Sequence, residues 1–300
     1  MVFSLLPFFF VISPLADAAD EPPDYDAGPA HKLHYTNAVF LRGNPLGLID
    51  ILRVGWRARL SDKDSVLLRD TYVFVGPSAL VTPAYTRLGG YAEAQLLAVL
   101  RVFGQVEGIG YYGNFSQVLS FSDPGNAVYD DATMDAQGTH AARTGWVFLG
   151  GATARAAVGP IAIRTTPQLE RYDLNLPDGD TAFYDQYWDR LAPNGGWMWM
   201  QDSDVLLLAG KARLGVRHTF SDNLDASTGA GGRAHHRVGP LFAWQFHDKG
   251  PGTRFDQPTL FLLAQWWAQH PYRAGQVQPA ALPLLAGGLA FKGDLWTSKR

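Results

Sequence analysis

The chain contains no cysteine. Disulfides, thiolate metal ligands and a cysteine nucleophile are therefore excluded. Charge is also scarce: 18% of residues are Asp, Glu, Lys or Arg, and the formal net charge is −3. That balance offers no basic surface of the kind nucleic-acid recognition needs. Beyond the N-terminus, no stretch reaches the roughly 18 uninterrupted apolar residues of a membrane-spanning helix. What is present instead is 47% apolar residues, 13% aromatics, 32 glycines and 19 prolines. Many of the glycines and prolines fall between apolar runs, which favours strands and turns over long helices.

The first residues, "MVFSLLPFFFVISPLADAAD", place an apolar core at 2–13 ahead of the small-x-small pattern Ala16-Asp17-Ala18. This resembles a secretory signal peptide. The expected division is a signal peptide over 1–18, a periplasmic N-terminal segment over 19–30, the folded body over 31–296 and a C-terminal tail over 297–300.

The stretch "DILRVGWRARL" (50–60) sets Leu52, Val54, Trp56, Ala58 and Leu60 one residue away from Arg53, Arg57 and Arg59. As a helix these positions scatter around the axis; as a strand they sort onto two faces. The alternation recurs. Residues 97–113 set Val102 and Val106 opposite Arg101, Gln105 and Glu107. Residues 161–170 set Ile161, Ile163 and Leu169 opposite Arg164, Gln168 and Glu170. Residues 211–220 set Leu214 and Val216 opposite Lys211, Arg213 and Arg217. Residues 79–95 read as one strand with Leu80, Ala84, Leu88 and Ala92 on one face and Arg87 and Glu93 on the other. The whole pattern predicts about twelve strands of about ten residues. Residues 183–191 ("FYDQYWDRL") are assigned to a loop. Long acidic connections (113–144, 174–196, 221–234) fall in alternate places, and very short ones (96, 159–160, 209–210) fall in the others. Long loops therefore collect on one rim, and an even strand count puts both termini on the other.

With one face rich in Leu, Val, Ala, Phe and Trp, and the other charged but interspersed with Gly and aromatics, this resembles the transmembrane β-barrels of Gram-negative outer membranes. The resemblance covers about residues 31–296. It implies an all-β fold, a single antiparallel up-and-down transmembrane barrel located in the outer membrane. It also implies outer-membrane lipid and the barrel-assembly machinery as partners. The chain departs from the pattern at its end, where Trp296 is followed by "TSKR" instead of closing the sequence. An Arg facing lipid at mid-bilayer costs about 2–4 kcal/mol, so the cations belong inside.

By that parity the lumen-facing cations are Arg53, Arg57, Arg59, Arg87, Arg101, Arg155, Arg164, Lys211, Arg213, Arg217, Arg237 and Lys292. The lumen-facing anions are Glu93, Glu107, Glu170 and Asp294. A lumen with such an excess of cations focuses its field toward anions. The expected function is a narrow passive pore or uptake channel for small anionic solutes, with no enzymatic activity. Two alternatives remain: a non-conducting structural or surface-interaction barrel whose interior is filled by Arg–Glu networks, and an outer-membrane lipid hydrolase. The hydrolase reading rests on His218, Ser221 and Asn223 in "RHTFSDN", where the opposite parity of His218 and Ser221 separates nucleophile from base.

The acidic residues Asp123, Asp130, Asp131 and Asp135, and Asp173, Asp178, Asp180, Asp185 and Asp189, are expected to form a solvated rim, since their spacing matches no calcium loop. His235 and His236 are adjacent on a strand and point to opposite faces, so they cannot chelate together. No metal-ligand spacing, nucleotide fingerprint or other cofactor motif is present.

Overall fold

The computed structural model describes residues 29–298 apart from 45, 64, 69, 113–117, 128–141, 226–233, 251 and 271–281. The expected signal peptide and most of the 19–30 segment therefore lie outside the described residues, as do Asp130, Asp131 and Asp135.

The stretch that opened the strand reading shows why the fold forms. Leu52 and Trp56 are exposed on the outer surface, whereas Ile51 and Arg53 are buried inside. Each strand must therefore present one face to lipid and one to an interior, and its backbone groups must find partners on both edges. The chain satisfies this with β1 (His31–Gly43), β2 (Gly47–Arg59), β3 (Tyr72–Val81), β4 (Tyr85–Leu97) and β5 (Leu100–Tyr111). After β6 (Ser120–Phe121) follow β7 (Arg143–Val158), β8 (Ile161–Leu174), β9 (Ala182–Asp185) and β10 (Arg190–Pro193). The last strands are β11 (Trp197–Ala209), β12 (Ala212–Asn223), β13 (His235–Gln245), β14 (Asp256–Gln269) and β15 (Leu284–Thr297).

Twelve of these close into one barrel in the order β1-β15-β14-β13-β12-β11-β8-β7-β5-β4-β3-β2. All pairings in the wall are antiparallel, and β1 closes against β15 from Lys32↔Thr297 to Gly43↔Leu285. Trp296 is part of that closure. It stacks on Trp56 at 5.4 Å between ring centroids, and His31 also stacks on Trp56, at 5.5 Å.

The connections at 98–99, 159–160 and 210–211 share a rim with the start of β1 and the end of β15, while the strand ends joined by 112–142, 175–196, 224–234 and 270–283 lie at the opposite rim. The longest links join strands at one rim and the two-residue turns lie on the other, although the short links 44–46 and 82–84 share the first rim and the longer links 60–71 and 246–255 the second; outer-membrane barrels show this bias, with their short turns periplasmic. The outer wall carries exposed Val75, Leu88, Val106, Ile163, Val205 and Leu285. A closed wall without free edges and with an apolar belt is stable in hydrocarbon, where an unpaired amide costs several kcal/mol. The chain is thus a transmembrane β-barrel of the outer-membrane type, embedded in lipid.

Two local expectations are corrected. Residues 79–95 are not one strand: Thr82, Pro83 and Ala84 form a turn, with the Thr82 N–H donating to the Tyr85 carbonyl at 2.9 Å. Leu80 on β3 is consequently buried and Leu88 on β4 exposed, on opposite faces of the wall. Residues 183–191 are not an open loop. They belong to the β9–β10 hairpin, which with β6 makes a three-stranded sheet separate from the wall.

Candidate functional site

The hairpin folds inward. Ala182, Phe183, Asp185, Asp189, Arg190 and Ala192 are completely inaccessible, and Tyr187, Trp188 and Leu191 are nearly so. Phe183 packs edge-on between Tyr111 of β5 and Tyr172 of β8, with centroids 5.4 and 5.2 Å away. Tyr187 meets Tyr85 of β4. The hairpin is held to the wall by polar contacts from several strands. Arg42 of β1 donates to the carbonyls of Tyr187 (2.7 Å) and Gln186 (2.8 Å). Trp188 donates its indole N–H to Glu170 at 2.8 Å. Tyr172 donates to Asp185 at 3.1 Å, and Arg190 donates to Asn223 of β12. His270 lies 3.1 Å from the Asp189 carbonyl and packs at a tilt against His235. Burial raises the Asp185 carboxyl above its ordinary value.

Beneath the hairpin the interior is laced with ion pairs. Arg87 of β4 bridges Glu107 and Glu170, each at 2.7 Å, and Ser78 donates to Glu107 at 2.6 Å. Arg53 lies over the Tyr91 ring at 4.0 Å, and Arg57 over Tyr72 at 3.6 Å. Glu93 accepts from the hydroxyls of Tyr72 and Tyr91 and pairs with Arg101 at 3.5 Å. On the opposite wall Arg217 donates to both oxygens of Asp204, which also pairs with Arg164. Arg217 lies 3.5 Å from Asp202, itself the acceptor for Thr219. The space left between Arg53, Arg87, Glu107, Glu170 and Trp188 is a cavity of about 20 Å³, room for little more than one water.

The remaining residues expected in the lumen divide by depth. Arg213 is buried and donates to Gln245 at 3.2 Å, and Arg237 is buried on β13. Arg59 pairs with Asp62, and Arg155 donates to the Ala98 carbonyl at 2.8 Å, both toward the short-turn rim. Near the same rim Asp294 pairs with Lys32 at 3.1 Å and His34 at 2.6 Å, and Lys292 is half-buried on β15. Lys211 is a correction. It stands exposed in the turn after β11, donating to the Phe246 carbonyl at 2.9 Å, because the strand ends at Ala209 before the parity applies.

Three groups escaped the sequence reading. Arg42 is an inward cation near the long-loop end of β1. Asp202 and Asp204 are inward anions on β11 and offset much of the cation excess. The expected solvated rim is corrected at Asp185 and Asp189, which sit inside the barrel, while Asp123, Asp173 and Asp178 are exposed.

Neither a protein-family model nor a curated relative matches the chain. Among solved structures it is similar to the translocator domain of autotransporter NalP from Neisseria meningitidis. The identity is 10%, covering 89% of this chain and 88% of that one, at a TM-score of 0.38. It is also similar to OmpT, an outer membrane protein of Vibrio cholerae, at 9% identity over 91% and 99% of the two chains and a TM-score of 0.34. The outer membrane protein OprD from Pseudomonas aeruginosa is similar at 8% identity over 89% and 94%, with a TM-score of 0.28.

The His218, Ser221 and Asn223 group is not brought together. Ser221 and Asn223 are buried inside, and Asn223 is committed to Arg190 and the Leu191 carbonyl. His218 points outward and lies 3.0 Å from His236 of β13. His235 points inward, so the two adjacent histidines serve opposite sides of the wall. Beside His218 on the outer surface, Gln201 donates to Thr165 and Ser203, forming a small polar island on the apolar belt.

Proposed function

We propose that the protein is a passive outer-membrane channel for small anionic solutes, closed at rest by the β9–β10 hairpin. The observation that carries this reading is how the hairpin is attached. Among the described residues, side chains and the backbone bridge Tyr172↔Asn194 tie it to the wall, while its strand ladder runs to β6 and within itself. A segment held this way can leave without breaking the barrel.

Its departure carries Asp185, Asp189 and Arg190 out of the lumen. Arg42 loses both carbonyl partners, and Glu170 keeps only its pairing with Arg87. The wall left behind presents Arg42, Arg53 and Arg237 to the passage, and low-dielectric walls focus such a field on anions. Residues 1–18 serve as the signal peptide, 19–30 as a periplasmic segment, and the barrel-assembly machinery inserts the body.

Planar-bilayer recordings of the purified protein test this reading: brief openings with anion-selective reversal potentials are expected, and cation selectivity contradicts it. A non-conducting barrel is the second reading, favoured by the 20 Å³ cavity beneath Trp188. It predicts silence in the same recordings, including after the hairpin is removed.

A further inference from the structure

The outer wall is not uniformly convex. A groove of about 930 Å³ crosses it, starting beside Val75 and Gly90 at mid-height on β3 and β4. It passes Gly104 and Gly150 and reaches Leu169 on β8 and Trp197 at the start of β11. Because β8 ends and β11 begins at the long-loop rim, the groove descends from the outer interface toward the middle of the membrane. Its lining is overwhelmingly apolar.

The floor is open because three glycines face lipid there. A Cβ at Gly90 would meet nothing within 4 Å, and at Gly104 or Gly150 its nearest neighbour would be a carbonyl oxygen at 3.9 Å. These glycines are therefore not required by close strand packing, unlike Gly89, whose Cβ would fall on the Val106 carbonyl.

At the upper end stands Arg171. It alternates with buried Glu170 and Tyr172, so its side chain is on the outer face. Its cross-strand partners are Phe148 on β7 and Trp197 on β11, both part of the groove wall. Among the described residues its guanidinium makes no hydrogen bond or ion pair. Asp173, the next outward residue toward the rim, is exposed and does not pair with it. An unpaired cation between two aromatics, at the depth where lipid head groups begin, suits a phosphate with a chain hanging below it.

We propose that the groove holds an acyl chain of a phosphate-bearing lipid of the outer leaflet, with its phosphate on Arg171. Concavity decides between a lipid and a second copy of this chain. Another barrel presents a convex wall and would leave the groove empty, whereas a flexible chain can follow and fill it.

The test uses the full-length, delipidated protein in detergent, titrated with dimyristoyl phosphatidylglycerol, dimyristoylglycerol or inorganic phosphate and read by native mass spectrometry. Retention of one phosphatidylglycerol is expected, with dimyristoylglycerol held about tenfold more weakly, a difference of about 1.4 kcal/mol. Inorganic phosphate alone should not bind. Arg171→Gln should bring phosphatidylglycerol down to the level of dimyristoylglycerol. The double variant G104L/G150L, which fills the groove with lipid-compatible side chains, should lose both lipids. A heat-shifted gel band for each variant shows that the barrel is intact, and R171Q carries the test if G104L/G150L does not fold. Wild-type retention by either folded variant, equal binding of the two lipids, retention of phosphate alone, or a dimer that displaces lipid would overturn the proposal.

Discussion

Trp188 of the inward hairpin donates its indole N–H to Glu170 of the wall at 2.8 Å, and Glu170 in turn pairs with Arg87 at 2.7 Å. One hydrogen bond thus couples the plug to the ion network that crosses the barrel. A hydrogen bond to a charged group contributes about 1.5–3 kcal/mol. Trp188→Phe keeps the aromatic packing against Tyr187 but loses the donor, so the open fraction in bilayer recordings should rise by about tenfold or more.

Protons act on the same plug. Burial holds the Asp185 carboxyl above its ordinary value when the hairpin is docked, so between the ordinary and the docked value docking favours the protonated form. The contribution is fully present below the ordinary carboxylate pKa and is lost as pH rises through the higher docked value. Open probability should therefore increase with pH across that window. Asp185→Asn should flatten the dependence and hold the channel closed, and recordings at stepped pH check both.

Arg87 neutralises two buried carboxylates. Arg87→Met leaves Glu107 and Glu170 facing each other without a cation, a loss of about 3–5 kcal/mol for a broken buried pair. Urea unfolding followed by tryptophan fluorescence should show this loss. The double variant in which Glu107→Gln accompanies R87M should recover part of it.

Among several close approaches in the wall, the tightest is at the β13–β14 seam. The β13–β14 pairing skips Gly239 and Pro240, and a Cβ at Gly239 would fall on the Ala264 carbonyl oxygen. Gly239→Ala should separate the two strands and lower the yield of heat-modifiable barrel on refolding. Gly90→Ala, whose Cβ enters open space, should leave that yield unchanged.

The wall was legible because its period is two and each face meets one solvent. In β2, Leu52 and Trp56 point to lipid while Arg53 points inward, and that is written directly in the residue order. The turn at Thr82–Pro83–Ala84 was readable from its proline but was overridden by an apparent alternation running through it. Asp202 and Asp204 stayed hidden because their strand begins with Trp197 and Trp199 outside and Met198 and Met200 inside, packed toward the plug. Both faces are apolar at that end, so no parity shows. The plug has no period at all, since from Phe183 through Ala192 every residue except the half-buried Gln186 is enclosed. The one signal available was composition: Phe183, Tyr184, Tyr187 and Trp188 are too apolar for a solvated loop. Which wall residues they meet, such as Arg42 and Glu170, is fixed only by closure of the barrel.

The most direct measurement is of a barrel in which residues 182–193 are replaced by a short Gly-Ser linker, recorded in a planar bilayer beside the intact protein. A plug-gated anion channel predicts steady, anion-selective conductance from the variant and rare openings from the intact chain. A variant that stays silent, or that passes cations in preference to anions, contradicts it.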